Sequence, residues 1–194
     1  MRAESYRAGI RAATRGLWTG ALDWFQCYDA LYTTITYGLA SAFHQGMKQY
    51  GITPDDYTEE EKDTLREFII SQVGYIAGFV DAVERGSKAN GGKLGTLMRR
   101  AELWANRWHE INQIAIAFAV RNGKLKWVVD FSKENCASCL KLNGKVKRAT
   151  YWLTNGILPR VAGAPYLDCK GYKCGCELVP TDEPCSKGPL PGLP

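Results

Sequence analysis

At 194 residues the chain has room for one ordinary domain, or for a helical domain with a small appendage. A hydrophobic share of 45% with 23% charged residues excludes wholesale disorder, and a net charge of +5 is too mild to establish a polyanionic partner by itself. The most apolar stretch, Leu17 to Phe43, is interrupted by Asp23, Gln26 and Asp29, so no membrane span is expected.

The N-terminus carries Arg2, Arg7, Arg11 and Arg15 and lacks the apolar run and cleavage site of a signal peptide. Synthesis and retention in a reducing cytoplasm are therefore expected. Residues 17–49 read as a long helical stretch, with Leu22, Phe25, Leu31, Ile35, Leu39 and Phe43 near helical spacing. Gly51 and Thr53-Pro54 break it, and Pro54 suits a first helical position.

One helix is predicted over 58–85. Thr58-x-x-Glu61 forms a capping box, and Glu59, Glu60 and Glu61 complement the positive end of the helix dipole. Leu65, Ile69, Val73, Ile76, Val80 and Val83 make its apolar stripe, and Gly86 ends it. Gly74 and Gly78, one turn apart, predict close helix packing. After a Gly-rich connection at 87–95, a third helix is predicted over 96–121. Leu97, Ala101, Trp104, Trp108, Ile111, Ala115 and Phe118 form its stripe, and Asn122-Gly123 stops it. Three such stripes can bury one another as a bundle.

After Gly123 the texture changes. Leu125 to Asp130 alternates and is β-branched, and reads as a strand. From Pro180 onward the chain holds five prolines in fifteen residues, which predicts an extended tail without a core of its own. The expected organisation is a helical domain at 1–122, a cysteine-rich module at 123–180 and a proline-rich tail at 181–194. The expected fold class is α+β: a mainly helical N-terminal bundle followed by a small C-terminal zinc-binding module.

That module carries most of the chemistry. Of seven cysteines, five lie within 41 residues: Cys136, Cys139, Cys169, Cys174 and Cys176. Cys136-x2-Cys139 allows a tight turn to aim two thiolates at one ion, and a second pair from elsewhere completes a tetrahedron. Cys169 with either Cys174 or Cys176 is the sterically easier second pair, since Cys-x-Cys in a strand sends alternate side chains to opposite faces. Gly171 and Gly175 permit the close turns, and Leu140 and Leu142 offer a small core with the strand. A structural Zn2+ is one reading; disulfides and unpaired buried thiols are the others. A catalytic zinc needs an open position and usually His or carboxylate ligands, and neither His44 nor His109 lies near the module in sequence. No nucleophile-plus-base constellation is evident, so a non-enzymatic chain is expected. Asp130, Glu134 and Asp168 flank the cysteines as possible partners of the ligands or as solvated loop acids. Lys124, Lys126, Lys145, Lys147 and Arg148, with Lys133 and Lys141 nearby, form a basic patch that could meet nucleic acid or an acidic partner, or simply face water.

The order of these residues resembles the phage minor head (head-morphogenesis) proteins of the Mu F-like group. The likeness starts at Arg100-Ala101-Glu102-Leu103-Trp104-Ala105-Asn106 and passes Lys126-Trp127, Cys136-Ala137-Ser138-Cys139-Leu140 and Leu142-Asn143-Gly144-Lys145-Val146. It continues through Trp152 and Gly156-Ile157-Leu158-Pro159 to Leu167-Asp168-Cys169-Lys170-Gly171-Tyr172-Lys173-Cys174-Gly175-Cys176-Glu177-Leu178. It covers about 80 residues; the preceding half is similar only in general pattern. Many members of the group carry a histidine where this chain has Asn135 or Lys173, which implies an all-cysteine site here. The resemblance implies a virion protein made in the host cytoplasm. Its partners would be the portal or the major capsid protein, with packaged DNA as a further contact in some members. The alternative is a zinc-stabilised nucleic-acid-binding module outside the virion.

Overall fold

The computed structural model describes residues 1–161, 163–171 and 174–193. Ala162, Tyr172, Lys173 and Pro194 lie outside the described residues, so Lys173, one of the two positions expected to mark an all-cysteine site, is not placed. Helices dominate the first two thirds: α1 (Ala3–Thr19), α2 (Trp24–Lys48), α3 (Glu59–Val73), α4 (Ile76–Arg85) and α5 (Leu94–Val120). Then follow β1 (Lys124–Val128), α6 (Ala137–Leu142), β2 (Val146–Arg148), α7 (Ala149–Thr154) and β3 (Glu177–Pro180). The fold class is α+β with a cysteine-rich module, as the sequence predicts. No helix among the described residues is long and apolar enough to cross a membrane. The chain divides into two compact units, one of Met1–Ala42 with Thr58–Trp108 and one of Phe43–Tyr57 with His109–Pro194.

In the first unit, α1 buries Tyr6, Ile10, Ala13 and Leu17, spaced to fall on one face of a helix, and packs along α4. The basic residues Arg7, Arg11 and Arg15 lie on the exposed face of this helix. Gly20 ends α1 at φ 81°, and the predicted 17–49 stretch is therefore two elements. Within α2, Leu31, Ile35 and Leu39 are fully buried, but Phe25 is 74% exposed. Phe25 instead lies edge-on to Trp24, with ring centroids 5.2 Å apart. A Cβ on Gly38 would run into the Tyr6 ring and one on Gly9 into Thr34, so these two glycines let α1 and α2 approach closely.

The predicted 58–85 helix starts on the expected capping box, with Thr58 and Glu61 each accepting the other's backbone N–H. It breaks at Gly74-Tyr75. There the Tyr75 N–H turns to the Gln72 carbonyl, a tighter bond than the i→i−4 ladder, and α4 sets off anew. Leu65, Ile69 and Val73 are only half-buried, whereas Ile76, Val80 and Val83 are fully buried. The expected packing role of the glycine pair is not met: a Cβ at Gly78 would meet nothing within 4 Å, and one at Gly74 only carbonyls of its own helix. Helix α5 follows its predicted stripe through Ala115, with Phe118 half-buried.

The second unit is organised by a three-stranded antiparallel sheet of order β2-β1-β3. Leu125 pairs with Lys147 on one side and Pro180 on the other; Trp127 pairs with Leu178. Only β1 was legible as a strand, since β2 and β3 have three and four residues, too few to show a period. The core holds Leu125, Trp127, Leu142, Trp152, Leu167 and Leu178, with Ile116 and Ala117 of α5. The Trp152 indole donates to the Leu125 carbonyl at 3.1 Å. Leu142 joins this core but Leu140 is 50% exposed, because on the short helix α6 it points about 200° away from Leu142. The tail is irregular yet not free of the core: Leu190 and Leu193 are partly buried against it.

Candidate metal centre

Two arms of chain carry the five clustered cysteines. The first is the start of α6. Cys136 occupies the N-cap with extended backbone, and its sulfur accepts the Cys139 N–H at 3.4 Å. This places a sulfur at the position an N-cap oxygen normally holds, where orphan N–H groups favour negative charge. Asn135 sets the entry to the turn, its amide donating to the carbonyls of Asp130 and Lys133 at 3.0 Å.

The second arm runs from Asp168 to Cys176. Asp168 Oδ2 accepts from the Ser138 N–H at 2.9 Å and from the Ser138 hydroxyl at 2.7 Å, while the Asp168 N–H donates back to the same hydroxyl at 3.0 Å. Ser138 is fully buried, so this clamp binds the residue before Cys169 to the residue before Cys139. Asp168 is thus a partner of the cysteine frame. Asp130 instead bonds Ser132 and Lys133, and Glu134 is exposed.

The end of the second arm is held by Arg160. Its guanidinium donates to the Cys176 carbonyl at 2.9 Å, the Gly175 carbonyl at 3.0 Å and Glu177 Oε1 at 2.7 Å. Its Nη1 lies 2.8 Å from His109 Nδ1, which must be the acceptor because a guanidinium has no lone pair to offer. Burial, with the Arg160 and Lys133 charges, pushes His109 from 6.5 down to about 4, so the imidazole is neutral. Neither Arg160 nor Ser138 was evident from sequence: the serine sits inside the Cys-x2-Cys frame, but nothing in the pattern around Pro159 marks the arginine.

The sulfurs fall into two triads that share Cys139: Cys136, Cys139 and Cys169, and Cys139, Cys174 and Cys176. Within each triad all three sulfurs lie within 4.8 Å of one another. Cys174 and Cys176 therefore reach the same sulfur, against the expectation for a Cys-x-Cys pair. The reason is local. Cys174–Cys176 precedes β3 and is not pleated, and the Gly175 backbone is pressed against Asp130, whose Cβ would be 2.7 Å from any Cβ added there. Gly171, at φ 72°, makes the turn between Cys169 and this segment.

Protons in such a cluster are shared unevenly. Cys174 is drawn down to about 2, chiefly by thiols of Cys139 and Cys176 that donate to it. Cys139 moves strongly upward as the donor to Cys174 and Cys176. Burial is the largest influence on both Cys136 and Cys169. At Cys136 the N–H groups of Cys139 and Cys169 together with the thiols of the same two residues outweigh it and the net shift is downward; Cys169 rises to about 12. Each triad thus favours one thiolate, surrounded by thiols whose protons a cation can replace.

The donor set fits a metal ion. The Cys139 and Cys174 sulfurs are 3.8 Å apart. A sulfur tetrahedron with metal–sulfur bonds of about 2.3 Å has edges of about 3.8 Å, whereas a disulfide requires about 2.05 Å. The buried Trp127 Nε1 has no hydrogen-bond partner among the described residues; the Cys139 thiol and, more weakly, this indole act to lower Cys176, but donation to Cys174, burial and the Cys174 charge raise it to about 12. A ligating sulfur would satisfy that N–H. Cys27 is buried in α2 and Cys185 is exposed in the tail; neither belongs to a triad. His44, bonded to the Tyr57 hydroxyl at 2.8 Å, is likewise outside both groups.

The basic residues are placed on the sheet. Lys124 and Lys126 lie on β1, Lys147 and Arg148 on β2, and Lys145 in the turn before it. Lys124, Lys126 and Lys147 are engaged by the chain's own tail, and Arg148 donates to the Asn122 carbonyl at 3.0 Å. Comparison with family models, curated proteins and solved structures gives no match.

Proposed function

We infer that this chain is a structural protein of a phage particle, a minor head protein acting in head morphogenesis at or near the portal, with a single structural Zn2+ in its C-terminal module. The observation that carries the reading is a coincidence of residues. The cysteines that give the sequence its likeness to Mu F-like minor head proteins are the same ones whose sulfurs converge into one cluster. An all-sulfur donor set with a sulfur spacing near the edge of a tetrahedron around one ion supports the reading of a single Zn2+, with an iron–sulfur cluster as the other occupant such sulfurs could hold. When bound, the ion supplies cross-linking between the two arms and no reaction chemistry. This chain's own residues do the rest: Ser138 and Asp168 register the arms, and Arg160 fixes the closing segment. The module then serves as a rigid platform for the portal or the major capsid protein.

The test is co-purification. Mass spectrometry of mature particles and procapsids is expected to find the chain in at least one of them, and its absence from both would sink the reading. Contact with packaged DNA through the basic strands is the less supported extension, because three of the five candidate cations are already bound by the tail. If such contact exists, affinity falls steeply with added salt.

A further inference from the structure

The tail meets β2, at the edge of the sheet, through Ser186. The Ser186 N–H donates to the Val146 carbonyl at 2.9 Å, and the Val146 N–H donates to the Ser186 hydroxyl at 3.0 Å. One lysine after another then takes an oxygen of the tail. Lys124 Nζ donates to the Asp182 and Glu183 carbonyls at 2.6 and 2.7 Å, and Lys126 Nζ meets the Glu183 carboxylate at 2.6 Å. Lys147 Nζ donates to the Ser186 and Gly188 carbonyls at 3.0 and 2.7 Å. An exposed strand edge is a template for a further peptide, and this one is flanked by cations that read carbonyls and an acidic side chain.

The occupant is held loosely. From Asp182 to Gly188 every residue is exposed except Ser186, which is half-buried, and the contacts are charge-assisted bonds at the surface, which salt weakens. It is anchored on either side, by β3 before it and by Leu190 and Leu193 partly buried against the core after it, and such tethering gives a short segment an effective concentration of about a millimolar.

We propose that the β2 edge with Lys124, Lys126 and Lys147 is a binding site for an extended acidic peptide, closed in this chain by its own residues 182–188 and opened when a partner's segment of the same chemistry replaces them. The Lys126–Glu183 ion pair and the backbone bond from Ser186 to Val146 in the resident segment both point to a peptide. The inference does not depend on the metal or on the virion reading.

The test uses the full chain. Glu183→Lys with Ser186→Pro removes the carboxylate and the N–H that hold the tail, both at non-buried positions. Fluorescence anisotropy then follows a labelled synthetic peptide of residues 182–188. The loosened chain is expected to bind at least about tenfold more tightly than the native chain, whose own tail competes. A peptide carrying Asp182→Lys and Glu183→Lys is expected to lose binding, a control that leaves the protein untouched. Glu183→Gln with Ser186→Pro in the full chain, which leaves Leu190 and Leu193 against the core, provides a second open form and is expected to match the loosened one. Equal binding by native and open chains, or no binding by either open form, overturns the proposal. Binding of a single-stranded oligonucleotide by the open forms without binding of the peptide overturns the assignment to a peptide.

Discussion

Arg160 makes four bonds, two to carbonyls of the Cys176 segment, one to Glu177 and one to His109, more than the three donors of a lysine could supply. Arg160→Lys keeps the charge but loses the planar fork. The expected result is a metal affinity lower by about 10–100-fold, read by competition with a chromophoric chelator. Its neighbour His109 gives the unit a pH dependence. With its folded value at about 4 against 6.5 when unfolded, the neutral ring contributes stability that is complete above about pH 6.5 and is lost as pH falls toward 4. His109→Asn offers Arg160 an acceptor that does not titrate. Urea unfolding at pH 7 and pH 4.5 is expected to show a smaller loss of stability in this variant than in the native chain; an equal loss would refute the role. At this scale the cysteines were legible because spacing alone reveals them. Arg160 and Ser138 were not, since a residue that acts through backbone carbonyls or one buried acid leaves no periodic or spaced signature.

Among the elements, the long apolar stripes of α2, α4 and α5 were legible, and so was the Thr58 capping box, because both signals are local. The break at Gly74-Tyr75 was not, since the stripe continues through it. The glycines separate what sequence could not. Gly38 abuts the Tyr6 ring, so Gly38→Ala is expected to destabilise the helical unit by about 1–3 kcal/mol through overpacking. Gly78 faces open space within α4, so Gly78→Ala is expected to be neutral or to stabilise by up to about 1 kcal/mol. Chemical denaturation of the pair measures both, and the opposite order would contradict the helix contacts. The strands β2 and β3 escaped the sequence reading because their pairing with β1 is long-range.

For the molecule as a whole, two compact units share the helices α2 and α5, and the cysteine cluster belongs to the second. That unit has a core of its own around Trp127 and Trp152, but the segment from Gly163 to Cys176 has no regular secondary structure among its described residues. An ion joining its two arms adds binding free energy directly to folding, on the order of 10 kcal/mol for a structural zinc. Chelation is therefore expected to abolish amide protection in β1 and β3. The most direct measurement is metal content on the native protein together with thiol counting before and after chelation. One zinc per chain, with about four thiols that become reactive only once the metal is removed, is the predicted result. No metal, and clustered cysteines that stay unreactive until a reductant is added, would contradict it and replace the metal with disulfides.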